Sequence, residues 1–140
     1  MQVRPVSPEN YPKVVELLCA SFHDYPVMRF VCQTTGADRE RIAERCRNCD
    51  ESQIVITHGT DTMVETAAVL ASLVPGKSIV LTGAMVPYAF GSSDGLFNLG
   101  SALSFAQSLP HGVYIAMNGQ CFSWNNVRKN KQRGEFEAIN

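Results

Sequence analysis

Residues 54–62 read Ile54-Val55-Ile56-Thr57-His58-Gly59-Thr60-Asp61-Thr62, a β-branched run that gives way to glycine, hydroxyls and a carboxylate. A buried strand needs the first half, and a tight turn followed by a helix N-terminus needs the second. The ends of such strands are where α/β sheets bind ligands, so chemistry is expected at this turn. The same rhythm continues downstream. Residues 62–73 have helical spacing, with Thr62 and Glu65 three apart as in a capping box. Pro75-Gly76-Lys77 turns the chain into an apolar strand at 78–82, and 83–93 reads as a loop. A helix is expected over 94–108, a turn at Pro110-His111-Gly112 and a third strand over 112–117. Strands that are apolar throughout, alternating with helices, predict an α/β fold: a three-layer, doubly wound, mainly parallel sheet with right-handed crossovers.

Upstream the pattern changes. Residues 3–6 can form a short strand, and Ser7-Pro8 opens a helix carrying Val14, Leu17, Leu18 and Phe22, which Asp24-Tyr25-Pro26 stops. After the Thr34-Thr35-Gly36 turn, residues 37–49 alternate charge with Ile42 and Ala43, as a solvent-facing helix does. The chain therefore divides into a helical segment over 1–36 and an α/β domain over 37–140.

Composition narrows the function classes. The chain has 140 residues, 45% of them hydrophobic, and a formal charge of −1, so it offers no broad basic surface for nucleic acid or anionic lipid. Only 128–133 is locally basic. No apolar run approaches the ~20 residues of a membrane span, and the opening Met1-Gln2-Val3-Arg4-Pro5 lacks a secretory pattern, so a cytoplasmic location is expected. Five cysteines in no scaffold arrangement read as reduced thiols, and the single Cys46-Arg47-Asn48-Cys49 pair has no second ligand pair to hold zinc.

Three strands end in polar or glycine residues: Thr57 to Asp61, Thr82-Gly83-Ala84 and Met117-Asn118-Gly119. In a parallel sheet these ends share one edge and can line one crevice. A threonine such as Thr60 is a poor nucleophile unless a base or a lysine-and-carboxylate relay takes its proton; Asp61 is adjacent, and Lys129 follows the third strand. Each of these residues also has an ordinary explanation. Thr60, Asp61 and Thr62 are good helix caps, and Asp94 is a cap for the next helix. His58 fits a hydrogen-bonded loop histidine, Lys129 fits a solvated basic stretch, and Phe122 and Trp124 fit packing positions.

The block from Ile54 to Glu137 resembles the bacterial-type L-asparaginase family. His58-Gly59-Thr60-Asp61-Thr62-Met63 looks like the family's second signature, Thr82-Gly83-Ala84-Met85 its next active-site loop, and Ser93-Asp94-Gly95-Leu96-Phe97-Asn98 the following helix start. Ala116-Met117-Asn118-Gly119 leading to Val127-Arg128-Lys129-Asn130 resembles the segment that holds the family lysine, and Ala37 to Ile42 extends the likeness upstream. The resemblance implies hydrolysis of asparagine to aspartate and ammonia, with Thr60 as the second catalytic threonine and Asp61 and Lys129 completing its triad. It further implies that Asp61 binds the substrate's α-amino group, that Gly59 lends a backbone N–H to the oxyanion, and that the Ala84 carbonyl orients the side-chain amide. No metal or cofactor is implied. The partner expected is a small amide, with no nucleic acid and no membrane, and a homo-oligomer is possible.

The family's opening strand and its Thr-Gly-Gly-Thr-Ile loop, source of the primary nucleophile, are not found in this sequence, nor is its Asp-Ser loop; Cys32-Gln33-Thr34-Thr35-Gly36 stands near that place. The expected fold therefore lacks the family's first strand, which would leave the next strand an exposed apolar edge. Slow hydrolysis is one expectation, and an inactive binding domain or decayed fusion fragment is the other. Residues 3–29 bear a short resemblance to the first strand and helix of a GNAT-type acetyltransferase, without the Gly-rich pyrophosphate loop that acetyl transfer requires.

Overall fold

The computed structural model describes residues 39–86 and 91–140. In chain order these form α1 (Arg39–Asn48), β1 (Gln53–Thr57), α2 (Met63–Leu73), β2 (Ser78–Thr82), α3 (Gly95–Ser108), β3 (Gly112–Met117), β4 (Gln120–Ser123), β5 (Arg128–Asn130) and β6 (Glu135–Glu137). The strands expected from the three apolar runs fall at the expected residues. The strand and helix expected within 1–36, and the acetyltransferase-like stretch, lie outside the described residues.

One sheet runs in the order β1-β2-β3-β4, and a separate two-stranded sheet pairs β5 with β6. β1, β2 and β3 are parallel, with Ile54 opposite Ile79 and Ile79 opposite Val113. β4 returns antiparallel along β3, with Phe122 opposite Ile115. Alternation along the strands separates two cores. Ile54, Ile56, Ile79, Leu81, Val113, Ile115 and Met117 face one side with Met63, Ala67 and Leu70 of α2 and Ile42, Ala43 and Cys46 of α1. Val55, Val80 and Ala116 face the other with Ala102 and Ala106 of α3. Each fully buried aliphatic side chain contributes on the order of 1.5–3 kcal/mol, which is why the strands tolerate almost no polar residue.

These faces correct one expectation. Both crossovers, β1-α2-β2 and β2-α3-β3, move the chain in the same direction along the sheet, yet α2 and α3 lie on opposite faces. Two such crossovers are necessarily of opposite hand, so one is not right-handed. The arrangement lets α2 reach past β2 to pack against β3, while α3 spans β1, β2 and β3.

The hairpin of β5 and β6 was not apparent from the sequence. Buried Val127 and Phe136 anchor it to the α2 face of the sheet. Lys129 sits opposite Phe136 across the hairpin. Directly opposed residues share a face, so burying Phe136 turns Lys129 inward as well. Among the described residues the outer edge of β1 carries no partner strand, and no helix is long and apolar enough to cross a membrane.

Candidate active site

The turn after β1 and the inward face of β5 meet. Lys129 Nζ donates to Thr60 Oγ1 at 2.8 Å and to Asp61 Oδ1 at 2.6 Å. Sixty-eight residues separate Asp61 from Lys129 in sequence, so the fold alone brings them together. The lysine side chain is 14% exposed while the Asp61 side chain is 81% exposed, which places the ammonium under the threonine and the carboxylate at the solvent rim. The hydrogen bond from Lys129, then its charge, holds the Asp61 carboxyl below the usual carboxylate range, against a small opposing effect of burial; Lys131 adds to the lowering. Lys129 is thus no solvated basic residue, and neither Thr60 nor Asp61 has its side chain engaged in capping a helix.

The expected caps are also corrected. Thr62 occupies the N-cap position of α2 without a side-chain cap, and its carbonyl instead accepts the Thr66 N–H and hydroxyl at 3.2 and 3.1 Å. Asp94 makes no side-chain cap to α3; the Gly95 N–H goes to Ser93 Oγ at 3.1 Å. With a local serine satisfying the helix start, the Asp94 carboxylate is left to serve the loop after β2.

Buried His58 ties the turn in place, as the loop-histidine reading expected. Its Nδ1 lies 2.7 Å from the Gly59 carbonyl and its Nε2 3.0 Å from Thr66 Oγ1. The adjacent strand end comes equally close. A Cβ on Gly83 would stand 2.4 Å from the His58 carbonyl oxygen, 3.1 Å from Met63 Cε and 3.5 Å from Thr60 Cγ2. Only glycine lets β1 and β2 end so near one another, and that proximity seats Thr60 beside the 83–86 loop.

Two polar residues hold that loop from the other side. Asp94 accepts the Met85 N–H at 3.1 Å and the Val86 N–H at 2.9 Å. Fully buried Asn98 donates to the Gly83 carbonyl at 2.9 Å and to Asp94 Oδ2 at 2.8 Å, and its Oδ1 accepts the Asn118 N–H at 2.8 Å. Partial burial works to raise the Asp94 pKa, but the bonds from Val86, Met85 and Asn98 outweigh it and hold the carboxyl below its ordinary value. Asn98 thereby links the ends of β2 and β3. The sequence reading gave Asn98 no role, although its spacing to Ala102 and Ala106 places it on the buried stripe of α3, where an amide needs partners.

Among the predicted residues, then, Thr60, Asp61 and Lys129 are in direct contact, Gly59 stands exposed in the same turn, and Ala84 lies in the loop that Asp94 and Asn98 hold. Thr34 and Thr35 lie outside the described residues. Phe122 is buried, as a packing residue should be, whereas Trp124 is 37% exposed. No group of three or more metal-ligating side chains occurs among the described residues. A hydroxyl, an ammonium and a carboxylate in series can relay a proton and stabilise an oxyanion.

Residues 28–140 match the family model described as "Asparaginase, N-terminal". The chain is 33% identical over 124 residues to L-asparaginase 1 of Escherichia coli strain K12, which covers 85% of this chain and 36% of that protein. It is 46% identical over 80 residues to the glutaminase-asparaginase of Acinetobacter glutaminasificans, covering 54% of this chain and 24% of that protein. In structure it is similar to the thermostable L-asparaginase from Thermococcus kodakarensis, with a TM-score of 0.69 and 31% identity over 76% of this chain and 34% of that one. The chain thus spans between about a quarter and a little over a third of the curated relatives it matches. These comparisons give no support to an acetyltransferase-like reading of residues 3–29.

Proposed function

We propose a function from one premise: this chain belongs to the asparaginase family, within its N-terminal domain. Its activity is hydrolysis of L-asparagine to L-aspartate and ammonia, and the contact of Lys129 Nζ with both Thr60 Oγ1 and Asp61 Oδ1 carries the reading. The first step needs Lys129 as the neutral amine, its ammonium having first given a proton to solvent; that amine takes the Thr60 proton, and Asp61 stabilises the ammonium that re-forms. The freed threonine oxygen attacks the side-chain carbonyl, and the ammonium returns its proton to the leaving ammonia. Water then releases aspartate from the acyl-threonine. Gly59 supplies a backbone N–H to the oxyanion, Asp61 meets the substrate's α-amino group, and the Ala84 carbonyl receives the side-chain amide. No metal or cofactor takes part.

Slow turnover belongs to the proposal because the Thr-Gly-Gly-Thr-Ile loop, source of the family's primary nucleophile, is not found in this sequence. Losing one nucleophile of a catalytic set costs orders of magnitude in rate. The same observation supports a second reading, a domain of this fold that binds a small amide without turnover. Self-association along the β1 edge belongs to the proposal, since that edge has no partner strand among the described residues and a second copy could pair with it.

Ammonia release from asparagine by the purified protein and by Lys129→Met tests the reading. The methionine keeps the stem and removes the amine. Release by the wild type, reduced about 100-fold or more in the variant, is expected for a lost acid–base group. Asparagine binding with no release by either protein would leave the binding reading in its place.

A further inference from the structure

The carbonyl of Ala84 is part of the peptide that ends in the Met85 N–H. A trans peptide is planar, so its C=O and N–H point in opposite directions. Because the Met85 N–H is held by Asp94 Oδ2 at 3.1 Å, the Ala84 carbonyl is turned away from Asp94. The preceding peptide is fixed too, its Gly83 carbonyl held by Asn98 Nδ2 at 2.9 Å. The following one is held through the Val86 N–H, 2.9 Å from Asp94 Oδ1. Asp94 and Asn98 belong to the start of α3, on the face of the sheet away from α2. Gly83 abuts the Thr60 methyl, and Met85 Cε lies 4.0 Å from the Cβ position of Gly134 in the β5–β6 hairpin. The loop therefore lies between the α3 start on one side and the turn and hairpin that carry Thr60 and Lys129 on the other.

We infer that Asp94, braced by Asn98, is a positioning residue for amide substrates: by holding the Met85 N–H it aims the Ala84 carbonyl at the substrate's side-chain NH2. This rests on the amidohydrolase reading above and deepens it by giving the site a reason to prefer amides. A carbonyl is an acceptor only, so it favours a leaving group that has an N–H to donate and offers nothing to an ester oxygen. Asp94 is suited to the task because a carboxylate has two oxygens and accepts two adjacent N–H groups at once. An asparagine at 94 accepts with one atom only, and frees the loop to rotate.

The test compares asparagine with the β-methyl ester of aspartate, in the wild type and in Asp94→Asn. The expected result is a fall of about tenfold in kcat/KM for asparagine, the scale of one hydrogen bond, with the ester changed less than twofold. Equal losses on both substrates would overturn this inference alone, because general loosening of the site does not discriminate between them. A wild type inert to both would overturn the functional reading and this inference with it. Should Asp94→Asn fold poorly, the wild type still decides. The Met85 and Val86 amide proton shifts should titrate together with the Asp94 carboxyl, below the usual carboxylate range; shifts indifferent to that titration would show that Asp94 does not hold the loop.

Discussion

Replacing Gly83 by alanine should separate the ends of β1 and β2. The new Cβ would stand 2.4 Å from the His58 carbonyl oxygen, about 1 Å inside the 3.4 Å at which ordinary contact begins. The obstacle is backbone, so no rotamer change relieves it. The two strand ends must move apart, and the bond that closes the ladder there, from His58 N–H to the Thr82 carbonyl at 2.8 Å, is the first to stretch. Overpacking a closed site costs about 1–3 kcal/mol, and loss of a backbone hydrogen bond adds about 0.5–1.5 kcal/mol. The sum is about 3 kcal/mol, or a Tm lower by roughly 10 °C for a chain of this size. Gly100 provides an internal control. It lies exposed in the middle of α3, with nothing within 4 Å of its Cβ position. Alanine there should stabilise the protein by about 0.5–1 kcal/mol through helix propensity. Thermal unfolding followed by circular dichroism measures both. A Gly83→Ala Tm within 2 °C of the wild type, or one no lower than that of Gly100→Ala, would refute the close approach that seats Thr60.

Two further outcomes follow from the titrating groups. Asp61 has its pKa lowered from 3.8 chiefly by Lys129, so its contribution to stability is fully present above 3.8 and is lost as pH falls through the lowered folded value. In Lys129→Met, carbon-13 NMR should show the Asp61 midpoint moved back up toward 3.8, and unchanged titration would contradict the ion pair. Burial pushes the Cys121 thiol up to about 11, so its alkylation should be slow at pH 8 and accelerate toward that value. Mass spectrometry of the labelled peptide reads this directly, and rapid labelling at pH 8 would contradict the burial of the thiol.

The strands were legible because each is a continuous apolar run long enough to mark a parallel, doubly covered position, as in Ile54-Val55-Ile56 and Ile79-Val80-Leu81. The hand of the crossovers was not, because burial of both faces erases the alternation that would have told which helix covers which side. β5 and β6, at three residues each, carry one buried side chain between them, too short a pattern for periodicity to register. The contact between Thr60 and Lys129 was suggested by resemblance; charge pattern alone pointed to a solvated lysine. Its inward turn depends on Phe136 across the hairpin, a pairing no local window contains. Asp94 was misread as a cap because composition cannot show that Ser93 already satisfies the Gly95 N–H. Asn98 left a usable signal, an amide at i with alanines at i+4 and i+8 on one helical stripe.

Ammonia released from asparagine by the wild type and by Thr60→Val, measured side by side, tests the central claim most directly. Valine keeps the shape of threonine and removes only the oxygen that meets Lys129 at 2.8 Å. Slow, continuous release by the wild type and none above background by the variant is the result expected. Equal release by the two proteins would contradict it, since the hydroxyl would then have no part in the chemistry.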